Sequence, residues 1–162
     1  MAALGALGLL AVLVALAAVF DLGPFDDGGT SLTRAGFTAK GDQACGRAHE
    51  QFAELQKSPP NSAEGAVTLT QNLIEISENE LSQIRALDAP PEVQPALDRY
   101  LRAREQGIAL LKQGLEAAQD KNARAYARAQ AGIAAGQVRR VKLAEAVGFS
   151  QCSVVRSGTA GQ

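Results

Sequence analysis

The chain has no tryptophan, two tyrosines and five phenylalanines, so its core must be assembled mostly from aliphatic and small side chains. It has one histidine, His49, and one methionine, Met1. Haem held between His and Met is therefore unsupported. So is a di-iron bundle site, because no Glu-x-x-His occurs, and zinc lacks partners. Neither sign of charge dominates: the formal net charge is -1, which gives no global attraction to nucleic acid. There is no Cys-x-x-Cys, no phosphate loop, no metalloprotease signature and no recognisable nucleophile–base arrangement. No enzyme activity, catalytic residue, metal or cofactor is expected.

What is present begins with a long apolar run. Residues 1–20 carry no charged side chain and match one membrane-spanning helix in length. The competing reading is a secretory signal peptide, with Ala15-Leu16-Ala17 as its small-x-small cleavage site. No Cys stands near the end of the run, which excludes a lipoprotein signal. The first charges beyond it are Asp21, Asp26 and Asp27, a bias that places the remainder outside the cytoplasm. We expect residues 1–22 to be a membrane anchor or signal segment. Residues 23–41, rich in glycine and without period, read as a flexible linker. About 120 residues remain, enough for one domain with one core.

That remainder is rich in Ala, Leu, Gln, Glu and Arg, which favours helix. The organising stretch is Ile84–Val93. Pro90 and Pro91 cannot continue an incoming helix, and Pro91 suits the first turn of the next. Helical spacing predicts four segments. The first runs from Asp42, its expected N-cap, to Lys57, with Cys45, Ala48, Phe52 and Leu55 on one face. The second runs from Ala63 to Leu87, capped by Ser62, with Thr70, Leu73, Ile74, Ser77, Leu81 and Ile84 inward. The third runs from Pro91 or Glu92 to Gln119, its seam interrupted by Arg104. The fourth follows the Asp120-Lys121-Asn122 turn and ends at Val147, before Gly148. Three short connections predict an all-α, up-down-up-down four-helix bundle over residues 42–152. Residues 153–162 read as a disordered tail.

In that topology the start of the first helix and the end of the fourth share one end of the bundle. Cys45 and Cys152 would then meet as a disulfide, which an oxidising location permits. The alternative is two buried free thiols. The first predicted helix is the shortest, so Cys45 would sit about 15 Å too far up the bundle unless Phe149-Ser150-Gln151 folds back or the first helix tilts.

The apolar N-terminal run, the early Cys45, the Leu87-Asp88-Ala89-Pro90-Pro91 corner and the ending Val147-Gly148-Phe149-Ser150-Gln151-Cys152 resemble a group of small exported helical proteins common in actinobacteria. That resemblance covers residues 42–152. It implies an exported Ala-rich bundle of unknown function and supplies no functional residues.

One polar constellation intrudes on the core. Glu80, Arg104 and Arg140 fall within about one helical turn of one another along the bundle axis, on or beside apolar faces. They are readable as a buried ion pair that fixes register. The sharper reading is a ligand-binding site for a small anion, since two guanidiniums exceed one carboxylate, although bundle interiors pair charges more often than they bind ligands. In the first case Arg104→Leu is expected to be milder than Glu80→Leu. His49 reads as a boundary residue. On the fourth helix Lys121, Arg124, Arg128, Arg139 and Lys142 form a basic stripe. It is a solvated face or a docking surface for an acidic protein or anionic lipid headgroups. Without interleaved aromatics it does not suit nucleic acid. The expected function is binding or scaffolding on the extracytoplasmic side, membrane-anchored or secreted. The alternative is a carrier or sensor of a small anion inside the bundle.

Overall fold

The computed structural model describes residues 32–154. They form four helices with no strand among them: α1 (Arg34–Gln56), α2 (Ala63–Arg85), α3 (Gln94–Gln119) and α4 (Ala123–Val147). The expected anchor at residues 1–22 lies outside the described residues. Among those described, no helix is long and apolar enough to cross a membrane.

The caps explain where the helices stop. Ser62 Oγ accepts from Gly65 N–H at 3.0 Å at the start of α2, with Glu64 in its first turn. Asn122 Oδ1 does the same for Ala125 N–H at 3.0 Å at the start of α4. Gly148, at φ 100°, closes α4 in the left-handed conformation that glycine adopts without strain.

The first helix corrects the sequence reading. Asp42 is not its N-cap. Thr33 is, its side chain accepting from Gly36 N–H at 3.1 Å, so residues 34–41 of the expected linker are helical. The glycines that read as flexible are packing positions. Phe37 and Gly41 are buried, and a Cβ at Gly41 would fall 2.1 Å from the ring of Phe149. The corner also differs. Pro90 O accepts from Val93 N–H at 2.9 Å and Gln94 N–H at 3.2 Å, so the turn spans Ala86–Val93. Pro95, not Pro91, occupies the first turn of α3, where a missing N–H is tolerated.

Neighbouring helices run antiparallel. Leu32 N–H donates to Asp88 O at 3.2 Å, and further along Cys45 Sγ lies 3.5 Å from Glu80 Oε1. Between α2 and α3, Glu78 pairs with Lys112 at 2.8 Å and Arg85 pairs with Glu105. Between α3 and α4 small residues allow close approach: Gly114 faces Ala129, and Leu110 lies over Gly132.

The core is concentrated at one end. Phe37, Tyr100 and Phe149 form an aromatic cluster with centroid spacings of 5.3 and 5.7 Å, packed with Ile84, Leu97, Ala144 and Val147. The Cys45–Cys152 disulfide sits beside it, with a Cα–Cα distance of 5.2 Å across a sequence separation of 107. The expected axial mismatch does not arise, because α1 begins early enough to place Cys45 well inside it. The chain after Gly148 also folds back. Asp42 fixes that return: Ser150 Oγ–H donates to its Oδ2 at 2.6 Å and Gln151 N–H to its Oδ1 at 2.8 Å. Ser153 and Val154, expected in a disordered tail, continue this turn, with Ser153 Oγ–H donating to Ser150 O at 2.8 Å.

Candidate functional site

Past the disulfide, the interior changes character. Phe52, Leu73, Leu111 and Ile133 are only half-buried. The space left between the four helices is a cavity of about 320 Å³. From α1 and α2 it is walled by His49, Phe52, Ala53, Gln56, Leu73 and Ser77. From α3 come Arg104, Gly107, Ile108 and Leu111; from α4 come Gln130, Ile133, Gln137 and Arg140. Val154, brought round by the disulfide-held return, stands at its edge and is 43% exposed. The wall contains two guanidiniums and no carboxylate.

The three charged residues expected to meet do so unequally. Glu80 is 5% exposed and accepts from Arg104 Nη2 at 2.5 Å and from the Tyr100 hydroxyl at 3.4 Å. Burial pushes its carboxyl above the usual range, while Arg104 and Tyr100 pull it back. Tyr100 is pushed up by its own burial, with Glu80 adding to the shift and Arg104 opposing it, so its hydroxyl stays protonated and donates. The Arg104 side chain, 18% exposed, reaches between Glu80 and the cavity, and its buried Nε has no hydrogen-bond partner.

Arg140 does not join the pair. Its Nη2 donates to Ile133 O at 3.0 Å on its own helix, and no carboxylate among the described residues pairs with it. Its proton affinity is lowered, first by burial and then by the like charge of Arg104. Gly136 leaves room for its guanidinium, and Gly107 lies in packing contact with it. A Cβ at Gly136 would fall 2.7 Å from Nη1, and one at Gly107 would fall 3.8 Å from it.

Sequence reasoning missed Tyr100. A tyrosine one helical turn before Arg104 is nonetheless placed to share its partner. It also missed the contact between the disulfide and the ion pair. Cys45 Sγ lies 3.5 Å from Glu80 Oε1 and 3.9 Å from the Tyr100 hydroxyl. The potential ligand atoms of Cys45, Glu80 and Cys152 lie within 4.8 Å of one another. With the two sulfurs bonded to each other, no thiolate is offered to a metal. On the outer face Arg124, Arg128, Arg139 and Lys142 are exposed as expected, and Lys121 pairs with Glu64 at 3.7 Å.

Compared with protein-family models, curated proteins and solved structures, the chain matches none.

Proposed function

We propose that this chain is a non-catalytic binding protein of the extracytoplasmic side, membrane-anchored or secreted, whose bundle takes a small ligand into the interhelical cavity as a carrier or sensor. One observation carries this. A four-helix bundle built for a surface partner has no need of an open interior, whereas here about 320 Å³ lies between the helices, beside two guanidiniums. Cavities of this size, mostly apolar with a few convergent polar groups, are where small ligands bind in bundles. The disulfide supports the location, since such bonds persist in oxidising compartments.

The test is the native mass of the full chain after export to an oxidising compartment. A bound organic mass that leaves on denaturation is the expected result. A bare chain, with no rise in melting temperature across a panel of small apolar and anionic compounds, overturns the proposal. A second reading is favoured by the basic stripe on α4, where Val138 is 65% exposed beside Arg139. Such a face suits an acidic protein or anionic lipid headgroups. Neutralising Arg124, Arg128, Arg139 and Lys142 together would then abolish binding to vesicles rich in anionic lipid.

A further inference from the structure

We infer that Arg140 is the anion receptor of the interhelical cavity, and that the ligand is a small monocarboxylate with an apolar body. This rests on the cavity being a ligand site and names the class it takes.

The charge balance comes first. Glu80 is committed to Arg104 at 2.5 Å and does not line the cavity. That pair is close to neutral and reads as a fixed wall. Arg140 is then the unbalanced charge: half-buried, beside a like charge, and bonded only to the carbonyl of Ile133 among the contacts described. A partly desolvated cation without a counter-ion is unfavourable, and no carboxylate of the cavity wall offsets it. One surplus positive charge calls for one negative charge from the ligand.

The shape comes second. Gly136 leaves room for the guanidinium at the cavity wall, and a Cβ there would lie 2.7 Å from Nη1, so the guanidinium would have to shift. A guanidinium so held, with one Nη2 bond already made, keeps further donors in a planar fork. That fork matches a carboxylate.

The remaining wall comes third. Phe52, Leu73, Ile108, Leu111 and Ile133 supply apolar surface that a bare inorganic anion would leave unmatched. A volume of about 320 Å³ holds roughly ten waters at about 30 Å³ each, so the ligand has on the order of ten to fifteen non-hydrogen atoms. Aryl-alkanoates and medium-chain fatty acids meet all three conditions.

The experiment titrates the full chain, disulfide formed, with phenylbutyrate and with its neutral counterpart phenylbutanol, by calorimetry against a matched blank. The acid should bind with one-to-one stoichiometry and at least about tenfold more tightly than the alcohol. Arg140→Gln should remove that preference while leaving the alcohol's affinity unchanged. Gly136→Ala keeps the charge but forces the guanidinium to shift from its place, and should weaken acid binding. Equal binding of acid and alcohol, or an acid preference that survives Arg140→Gln, overturns the assignment of a carboxylate to Arg140 and leaves the cavity a ligand site. Binding of neither compound, by a chain whose helical signal melts cooperatively, overturns both.

Discussion

Replacing Arg104 by methionine should make the stability of the bundle more sensitive to pH, in a direction fixed by Glu80. The substitution keeps an unbranched side chain of similar reach and removes the cation 2.5 Å from the carboxylate. Glu80, at 5% exposure, cannot turn out to water, and the Tyr100 hydroxyl alone does not balance its charge. The carboxyl escapes by keeping a proton. Relative to an unfolded chain in which Glu80 titrates at its ordinary value of 4.5, holding that proton costs about 1.36 kcal/mol per pH unit above that value. The penalty at about pH 7 is therefore capped at about 3.4 kcal/mol. The sign follows from proton counts. Between 4.5 and the raised folded value the folded state holds a proton that the unfolded chain lacks, so stability falls as pH rises through that window. The wild-type Glu80 is also raised by burial, but Arg104 holds it lower, so its decline ends sooner. The gap between wild type and variant should accordingly be below about 1 kcal/mol near pH 4.5 and open to about 2–3 kcal/mol by pH 7. Urea melts followed by the helical signal at several pH values measure it. Glu80→Gln, which removes the buried carboxyl and leaves a guanidinium that can hydrate in the cavity, should show no such opening. A gap for Arg104→Met that stays constant, or closes as pH rises, would refute the assignment of Glu80 as a buried carboxylate neutralised by Arg104. On the same reasoning the order expected from sequence, with Arg104→Leu milder than Glu80→Leu, should hold best in acid, and melts of that pair across pH would check it.

Three further outcomes follow from the packing. Replacing Cys45 and Cys152 together by alanine should lower stability by about 2–5 kcal/mol, chiefly by freeing the unfolded chain, and reductant should shift the wild-type melt but not that of the double variant. Gly41→Ala forces a methyl against the Phe149 ring and should cost about 1–3 kcal/mol in the same melts; an unchanged midpoint would contradict the close approach of α1 to that ring. Gly148→Ala places a side chain at φ 100° and should cost about 1 kcal/mol or more, with Gly148→Asn the milder change because asparagine tolerates the left-handed region.

Most element boundaries were legible because local chemistry announces them. Ser62 with Glu64, the turn ending in Asn122, and Gly148 all lie where the structure uses them. The start of α1 was not, because Gly36 and Gly41 carry two meanings. In a sequence they resemble a linker; in the bundle Gly41 is the surface against which Phe149 closes. Only the partner, more than a hundred residues later, decides between them. The triad of Glu80, Arg104 and Arg140 was legible as an axial level, since rise per residue sets that. Which arginine takes the carboxylate depends on side-chain reach and on the longer corner at Ala86–Val93. The cavity itself was invisible, because it exists only where half-buried Phe52, Leu73 and Ile133 fail to meet.

The interior of the bundle has two unlike ends. Around the disulfide, few but large aromatic side chains fill the space, and Asp42 ties the returning chain to α1 through two hydrogen bonds. Beyond it, the side chains around the centre leave it unfilled, and Arg140 stands there with no carboxylate partner among the described residues. An unfilled interior and an unbalanced charge each act against folding, by a few kcal/mol in typical cases. A chain this short has little stability in reserve, so the closed loop and the aromatic end supply what the cavity end gives up. Ligand binding should then act as a second stabiliser, by mass action, on the half that the disulfide does not reach. The coupling is measurable: in the disulfide-free variant a bound carboxylate should raise the midpoint of unfolding, and in Arg140→Gln lacking the same disulfide it should not.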